Sequence, residues 1–296
     1  MHDVTPAPTT RVETAPAKIN LTLRVVGRRP DGYHLLDSLV AFADIGDTMT
    51  VTPADQQHGI RLTVDGPLSA GVPTDQSNLV VGAAERYLTA TGIETGLDIR
   101  LTKRLPAAAG IGGGSSDAAA MMRALTALFP AKRLSDSATI RLAGLVGADV
   151  PVCLTPRSWR MQGIGEGLTP GPCVTGTPIV MVNPRVPVAT RSVFKARSAA
   201  FSPTLDLPQG PLSPEAVAHL IAVGGNDLQS PAIRVAPVID QVLATLGETP
   251  RVLAAKMSGS GATCIGISRS YEDAADIAES LGTTYPSWWV TAAKLL

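Results

Sequence analysis

The segment Pro106 to Asp117, PAAAGIGGGSSD, constrains this chain more than any other stretch. It follows a strand-like alternation in which Leu97, Ile99 and Leu101 oppose Asp98, Arg100 and Thr102. It precedes an alanine-rich helical pattern from Ser116 to Leu128. Gly110, Gly112, Gly113 and Gly114 allow backbone with φ > 0 and a close approach to a ligand. Ser115, Ser116 and Asp117 are suited to cap the helix, whose free N–H groups make an anion site. These parts together predict a phosphate cradle; the plainer alternative is a flexible turn whose serines only cap a helix.

Three common phosphate sites do not fit the pattern. A Walker A loop needs Gly-Lys before Ser or Thr, and no lysine in this chain follows a glycine. The dinucleotide fingerprint G-x-G-x-x-G fails because Ser115 stands where the third glycine belongs. The protein-kinase triplets His-Arg-Asp and Asp-Phe-Gly are absent.

Around this segment, strand and helix patterns mix without strict βαβ alternation, which predicts an α+β fold. Strands are expected over Lys18 to Val26, Thr48 to Thr52, Ile60 to Val64, Ile179 to Val182 and Cys264 to Ser268. Helices are expected over Asn78 to Leu88, Ser135 to Val146, Pro214 to Ile221, Pro237 to Leu246 and Glu272 to Leu281. In the first strand Ile19, Leu21, Leu23 and Val25 share one face, and Lys18, Asn20, Thr22 and Arg24 the other. The Gly/Pro-rich stretch from Gly163 to Pro178 is the best candidate for a domain junction. It divides the chain into 1–162 and 163–296.

Lysine plus arginine (25) balances aspartate plus glutamate (25), so no net field recruits nucleic acid or an acidic membrane, and a polyanionic ligand must be held by local donors. Cys153, Cys173 and Cys264 are odd in number and far apart, which favours reduced thiols in a cytoplasmic protein over a disulfide framework or zinc site. No apolar run reaches the roughly 20 residues of a membrane span. The start, MHDVTPAPTT, lacks the regions of a signal peptide and reads as a short disordered lead-in.

The glycine segment resembles the P-x-x-x-G-[LI]-G-G-G-S-S loop of the GHMP kinase superfamily, with Ala107-Ala108-Ala109 where members usually carry another glycine. Further motifs point the same way: Pro16-Ala17-Lys18-Ile19-Asn20-Leu21, Gly27 to His34 (GRRPDGYH), Ala148-Asp149-Val150-Pro151 and Ser258-Gly259-Ser260-Gly261-Ala262. The first two are similar to the branch that phosphorylates the 2-hydroxyl of 4-diphosphocytidyl-2-C-methyl-D-erythritol in non-mevalonate isoprenoid synthesis. The resemblance implies a two-domain α+β GHMP kinase fold with the active site in the inter-domain cleft. It also implies ATP, used with Mg²⁺, and a cytidine-diphosphate-linked small-molecule substrate.

Roles follow from the resemblance, each beside a plainer alternative. Asp149 matches the catalytic aspartate, which takes the alcohol's proton; it is equally a common turn residue. Lys18 matches the second catalytic residue, able to keep Asp149 ionised and neutralise transition-state charge; an exposed edge strand carries lysine just as readily. Pro106, Ala107, Ala108, Ala109, Gly110, Ile111, Gly112, Gly113, Gly114, Ser115 and Ser116 would wrap the ATP phosphates. Asn78 resembles an adenine-site residue or is a helix N-cap, and Lys103 lines the nucleotide site. Asn20 would bind substrate, Tyr33 and Phe194 stack on cytosine, and His34 contact the base. Gly259, Ser260 and Gly261 would approach the substrate phosphates, or only join two strands. Ser115 or Ser116 could reach Mg²⁺. Asn226-Asp227-Leu228 reads as a helix cap, and Gly163 to Gly167 as a turn.

Overall fold

The computed structural model describes residues 9–296, and the lead-in expected over residues 1–10 falls largely outside them. The strands are β1 (Arg11–Asn20), β2 (Arg24–Arg28), β3 (His34–Ala54), β4 (Ile60–Asp65), β5 (Gly96–Thr102), β6 (Trp159–Gly163), β7 (Gly167–Pro170), β8 (Pro178–Asn183), β9 (Ala254–Met257), β10 (Cys264–Ile267) and β11 (Trp289–Lys294). The helices are α1 (Leu79–Thr91), α2 (Gly113–Leu128), α3 (Asp136–Val146), α4 (Val150–Cys153), α5 (Thr190–Ala196), α6 (Pro214–Gly224), α7 (Gln229–Val235), α8 (Val238–Glu248) and α9 (Tyr271–Thr284). The mixture is the expected α+β.

These elements form two compact units whose segments alternate along the chain. One takes the described residues up to Ala15, Gly46–Leu105 and Gly114–Leu154; the other takes Pro16–Ile45, Pro106–Gly113 and Thr155–Leu296. In the first unit β4 runs parallel to β5, and β5 pairs antiparallel with the second half of β3, Thr48 opposite Thr102. Leu97, Ile99 and Leu101 are buried while Asp98 and Arg100 are exposed, as period-two alternation requires. On α1 the helical spacing of Val80, Ala83, Ala84 and Tyr87 buries one face. The Tyr87 hydroxyl meets the Thr126 hydroxyl at 2.9 Å and ties α1 to α2.

In the second unit an antiparallel sheet has the order β11-β8-β10-β9. The central β8, PIVMVN, is buried at every residue, so it reads as a continuous apolar run and not as an alternation. Helices α6 and α8 pack on β9, and α9 packs on β8 and β11. Ser213 and Ser270 cap α6 and α9 by accepting the N–H groups of Ala216 and Asp273. The core gathers Val180, Val182, Ile239, Val242, Leu246, Ile277 and Trp288.

The strand expected over Lys18 to Val26 is interrupted. Leu21 and Thr22 both donate their N–H groups to the Leu39 carbonyl, and Leu23 donates to Gly225, so β1 ends at Asn20 and β2 starts at Arg24. Burial also departs from the expected two faces: Lys18, Asn20 and Thr22 are as enclosed as Ile19 and Leu21. Replacing Leu246, fully buried on α8, by alanine leaves a cavity and is expected to cost about 2–5 kcal/mol. Urea melts of the variant and the parent measure this, and an unchanged midpoint would contradict the packing described.

Candidate active site

The glycine segment takes a distinctive path. Ala108, Gly110 and Gly112 have φ of +50°, +73° and +61°, so every second residue is left-handed. Ala108 adopts the conformation for which glycine is usual, which answers the alanine triplet at this position. Gly113 and Gly114 differ from expectation, because they are helical: α2 begins at Gly113 and not near Ser116. The left-handed turn at Gly112 feeds the chain straight into the helix, so Ser115, Ser116 and Asp117 lie within its opening turns instead of capping it. An opening turn presents N–H groups with no intrahelical acceptor, which suits an anion.

Residues 106–113 are spliced to the second glycine turn, Ser258 to Gly261, which joins β9 and β10 as the hairpin alternative required. Thr263 donates its N–H to the Ala109 carbonyl at 3.1 Å. The Ser258 hydroxyl donates to the Gly110 carbonyl, also at 3.1 Å. No side chain fits between these backbones: a Cβ on Gly110 would lie 2.6 Å from the Ser258 carbonyl oxygen, and one on Gly259 would lie 2.7 Å from that of Gly110.

Lys18 and Asn20 join this assembly from β1. Lys18 donates its N–H to the Ile111 carbonyl at 2.9 Å, and a Cβ on Gly112 would lie 3.0 Å from that of Lys18. Only 4% of the lysine is exposed, which removes the exposed-edge alternative. Asn20 donates its N–H to the Ser258 hydroxyl and its side-chain amide to Ser38. Its Oδ1 is buried, has no hydrogen-bond partner, and would lie 3.3 Å from a Cβ on Gly259.

Tyr33, His34 and Phe194 belong to the same unit. His34 stacks on Phe194, centroids 4.9 Å apart, and Tyr33 is 63% exposed. Burial, aided by Arg28 and Arg197, holds the imidazole below its ordinary pKa, which favours the neutral ring. Ser260 hydrogen bonds Thr190 at 2.8 Å, at the start of the helix that carries Phe194.

The other unit holds Asn78, Lys103, Ser115, Ser116 and Asp149. Asn78 is an N-cap: its Oδ1 accepts the Val80 N–H at 3.0 Å, and its amide donates to the Pro73 carbonyl. A Cβ on Gly114 would lie 3.7 Å from Leu79, so the starts of α1 and α2 are neighbours. The Lys103 ammonium is buried between the carboxylates of Asp47 and Asp117, the latter at 2.7 Å. Asp47 also accepts the N–H groups of Arg104 and Leu105, fixing the chain where it enters the glycine segment. Asp149 is half-buried and lies in the turn that leads into α4, closed by the Val150 N–H donating to the Gly147 carbonyl; its side chain makes no capping bond.

Profiles of two families match the chain: the GHMP kinases N terminal domain over residues 78–156, and GHMP kinases C terminal over residues 212–287. The 4-diphosphocytidyl-2-C-methyl-D-erythritol kinase of Paramagnetospirillum magneticum is 48% identical over 95% of this chain and 97% of its own. That of Rhodospirillum rubrum is 44% identical over all of this chain and 96% of its own. The chain belongs to this branch of the GHMP kinase family. A crystal structure of 4-(cytidine 5'-diphospho)-2C-methyl-D-erythritol kinase has a TM-score of 0.79 at 34% identity, covering 96% of this chain and 99% of its own. Homoserine kinase from Cytophaga hutchinsonii, at 19% identity and a TM-score of 0.70 over 99% and 96%, shares the fold.

In this member of the GHMP kinases, sequence reasoning passed over Asp47, Asp117 as a partner of Lys103, and Lys256. Asp47 sits inside a long strand with no neighbouring motif, so nothing local marks it. Asp117 was visible only as a capping residue. Burial pushes the Asp117 carboxyl up to about 7, against the pull of Lys103. The folded protein therefore keeps a proton that an unfolded aspartate releases near pH 4. This contribution to stability is complete below about pH 4 and is lost as pH rises through about 7. The parent is expected to lose urea resistance over that range relative to Asp117→Asn, which cannot titrate there. Melts of both proteins across the range measure it; parallel profiles would refute the assignment.

Proposed function

We propose that this chain transfers the γ-phosphate of ATP to the 2-hydroxyl of 4-diphosphocytidyl-2-C-methyl-D-erythritol, giving the 2-phosphate and ADP, a step in non-mevalonate isoprenoid precursor synthesis. The observation that carries this reading is 48% identity over nearly the whole length of a kinase of that name. The splice between two glycine-rich turns supports it, because two phosphate-bearing ligands need two places where backbone can come close. Residues 1–162 form the ATP-binding N-terminal domain and 163–296 the C-terminal domain in this reading; the two family matches fall on either side of that boundary. The cytoplasm suits an enzyme in which no helix of the described residues is long and apolar enough to cross a membrane and no disulfide joins the cysteines.

Each side chain then has a task. Residues Pro106 to Ser116 surround the triphosphate, with backbone N–H groups from Ala107 onward as donors, and Asn78 and Lys103 on the nucleotide side. Asp149 takes the proton of the 2-hydroxyl as its oxygen bonds to the γ-phosphorus and the bond to the β,γ-bridging oxygen breaks. Pro151 stiffens the segment behind it. Lys18, nearly out of water, opposes negative charge more strongly than a solvated lysine does. Asn20 offers its unpartnered Oδ1 to a substrate hydroxyl. Cytosine stacks on Tyr33 and Phe194. Neutral His34 carries one donor and one acceptor, matching the donor and acceptor on the base edge. Gly259, Ser260 and Gly261 meet the substrate diphosphate.

Mg²⁺ would take most of its oxygens from the ATP phosphates and water, with Ser115 or Ser116 at the start of α2 supplying a hydroxyl. Bound there, it would neutralise phosphate charge.

Asp149→Asn is expected to lower kcat by about 10²–10⁴ while ATP still binds. ADP release coupled to NADH oxidation, beside calorimetric ATP titration, measures both; parental turnover would remove Asp149 from the chemistry. Tyr33→Ala is expected to raise KM for the cytidyl substrate and leave KM for ATP near its parental value. Equal losses for both would assign Tyr33 to the fold. Release of ADP with homoserine or mevalonate in place of the cytidyl substrate would overturn the proposed acceptor.

A further inference from the structure

Beneath the Ser258 to Gly261 turn lies a hydrogen-bonded knot that the roles above do not use. Asn226 spreads its side-chain amide between the carbonyls of Met257 and Gly259, at 2.9 and 2.8 Å, on either side of Ser258. Its Oδ1 accepts the Leu228 N–H at 2.9 Å, so the backbone two residues on sets the amide's orientation. Lys256 is buried one residue before Met257, and its ammonium donates to the carbonyls of Leu21, at 2.6 Å, and Gly225. Gly225 also accepts the Leu23 N–H, and Asp227 accepts the Val25 N–H at 2.7 Å.

Three stretches far apart in sequence are thus joined through two side chains: Asn20-Leu21, Gly225-Asn226 and Lys256 to Gly259. The joint has a direction. On one side Asn20 presents its buried, unpartnered Oδ1, and on the other Gly259 shows the face where a Cβ would lie 3.3 Å from that oxygen. A solitary lysine among carbonyls is a costly way to fill a core, since burial penalises its charge. Its two acceptors lie next to Asn20 and to Asn226, so what it supplies is register between strands.

We propose that Asn226 and Lys256 are positioning residues for phosphoryl transfer, holding Asn20 and the 258–261 turn at a fixed separation to receive the acceptor substrate. The proposal rests on the reading that this turn and Asn20 face that substrate. Asn226 acts by donating: its amide pulls on two carbonyls that would otherwise be free to rotate the turn. Lys256 sets the end of β1 against β9. Neither touches substrate, so both act through the placement of Asn20 and Gly259.

Asn226→Asp separates this role from packing, because it keeps the side chain's shape and turns the donor into an acceptor facing two carbonyls. The variant is expected to lose about 10²-fold in kcat/KM for the cytidyl substrate, the scale of a displacement of about 1 Å. ATP affinity by calorimetry should stay at its parental value. Asn226→Ala should lose less, since it repels nothing. Lys256→Met, which replaces a buried cation by an apolar chain of similar length and so is compatible with folding, should show the same split. Parental kinetics in Asn226→Asp, or equal losses for ATP and the cytidyl substrate, would overturn the proposal.

Hydrogen exchange without ligands decides the question independently of the substrate. The peptide covering residues 257–263 should exchange about tenfold faster in Asn226→Asp, a loosening of about 1.4 kcal/mol, with α9 unchanged. Unchanged exchange there would overturn the latch. A parent protein inactive on the cytidyl substrate would overturn the proposed reaction, while the exchange measurement would still judge the latch.

Discussion

The closeness of two backbones, at Gly110 and Gly259, is the constraint on which the second unit's site depends. Gly110 sits where the Ser258 and Gly261 carbonyls leave no room for a Cβ, and Gly259 where the Gly110 carbonyl leaves none. The hydroxyl of Ser258 and the N–H of Thr263 convert that closeness into hydrogen bonds with residues 109 and 110. Hydrogen bonds of this kind contribute about 1 kcal/mol each, yet leaving such groups buried and unpaired costs more. The splice therefore acts less as glue than as a rule about position. Once it is made, Lys18 lies against Gly112 and Asn20 against Ser258.

Charge is handled locally, as a chain with balanced acids and bases requires. Lys18, Lys103 and Lys256 are all buried, and each has a different setting. Burial opposes the charge on Lys103, yet Asp117 and Asp47 beside its ammonium raise its pKa. Lys256 has only carbonyls, and burial brings it down to about 7. Lys18 stands beside Gly112, the left-handed glycine that leads into α2.

Much of this was legible residue by residue. The alternation of Leu97, Ile99 and Leu101 marked β5, and the helical patterns over Asn78 to Leu88 and Ser135 to Val146 marked α1 and α3. Those signals are local, set by period and by capping chemistry. The break between Asn20 and Arg24 was not legible, because it is caused by Leu39 and Gly225, distant in sequence. The burial of Lys18 was hidden for the same reason: an alternating polar face looks identical whether water or another turn covers it. Asp47 had no local signature at all, since its three hydrogen-bond partners are Lys103, Arg104 and Leu105.

By itself the sequence determined the kind of chemistry, since glycines at 110 and 112, serines at 115 and 116, and the motifs around Lys18, Tyr33, Asp149 and Ser258 restrict both backbone conformation and side-chain type. These are properties of short segments, and short segments carry their own dihedral and hydrogen-bonding limits. Tertiary structure alone decided which segments meet: that Ala109 and Gly110 pair with Thr263 and Ser258, that Lys103 lies between Asp47 and Asp117, that Asn226 binds the carbonyls of Met257 and Gly259, and that Lys256 binds those of Leu21 and Gly225. Pairing between segments separated in sequence depends on how sheets and helices exclude water together. No window of sequence contains that sum.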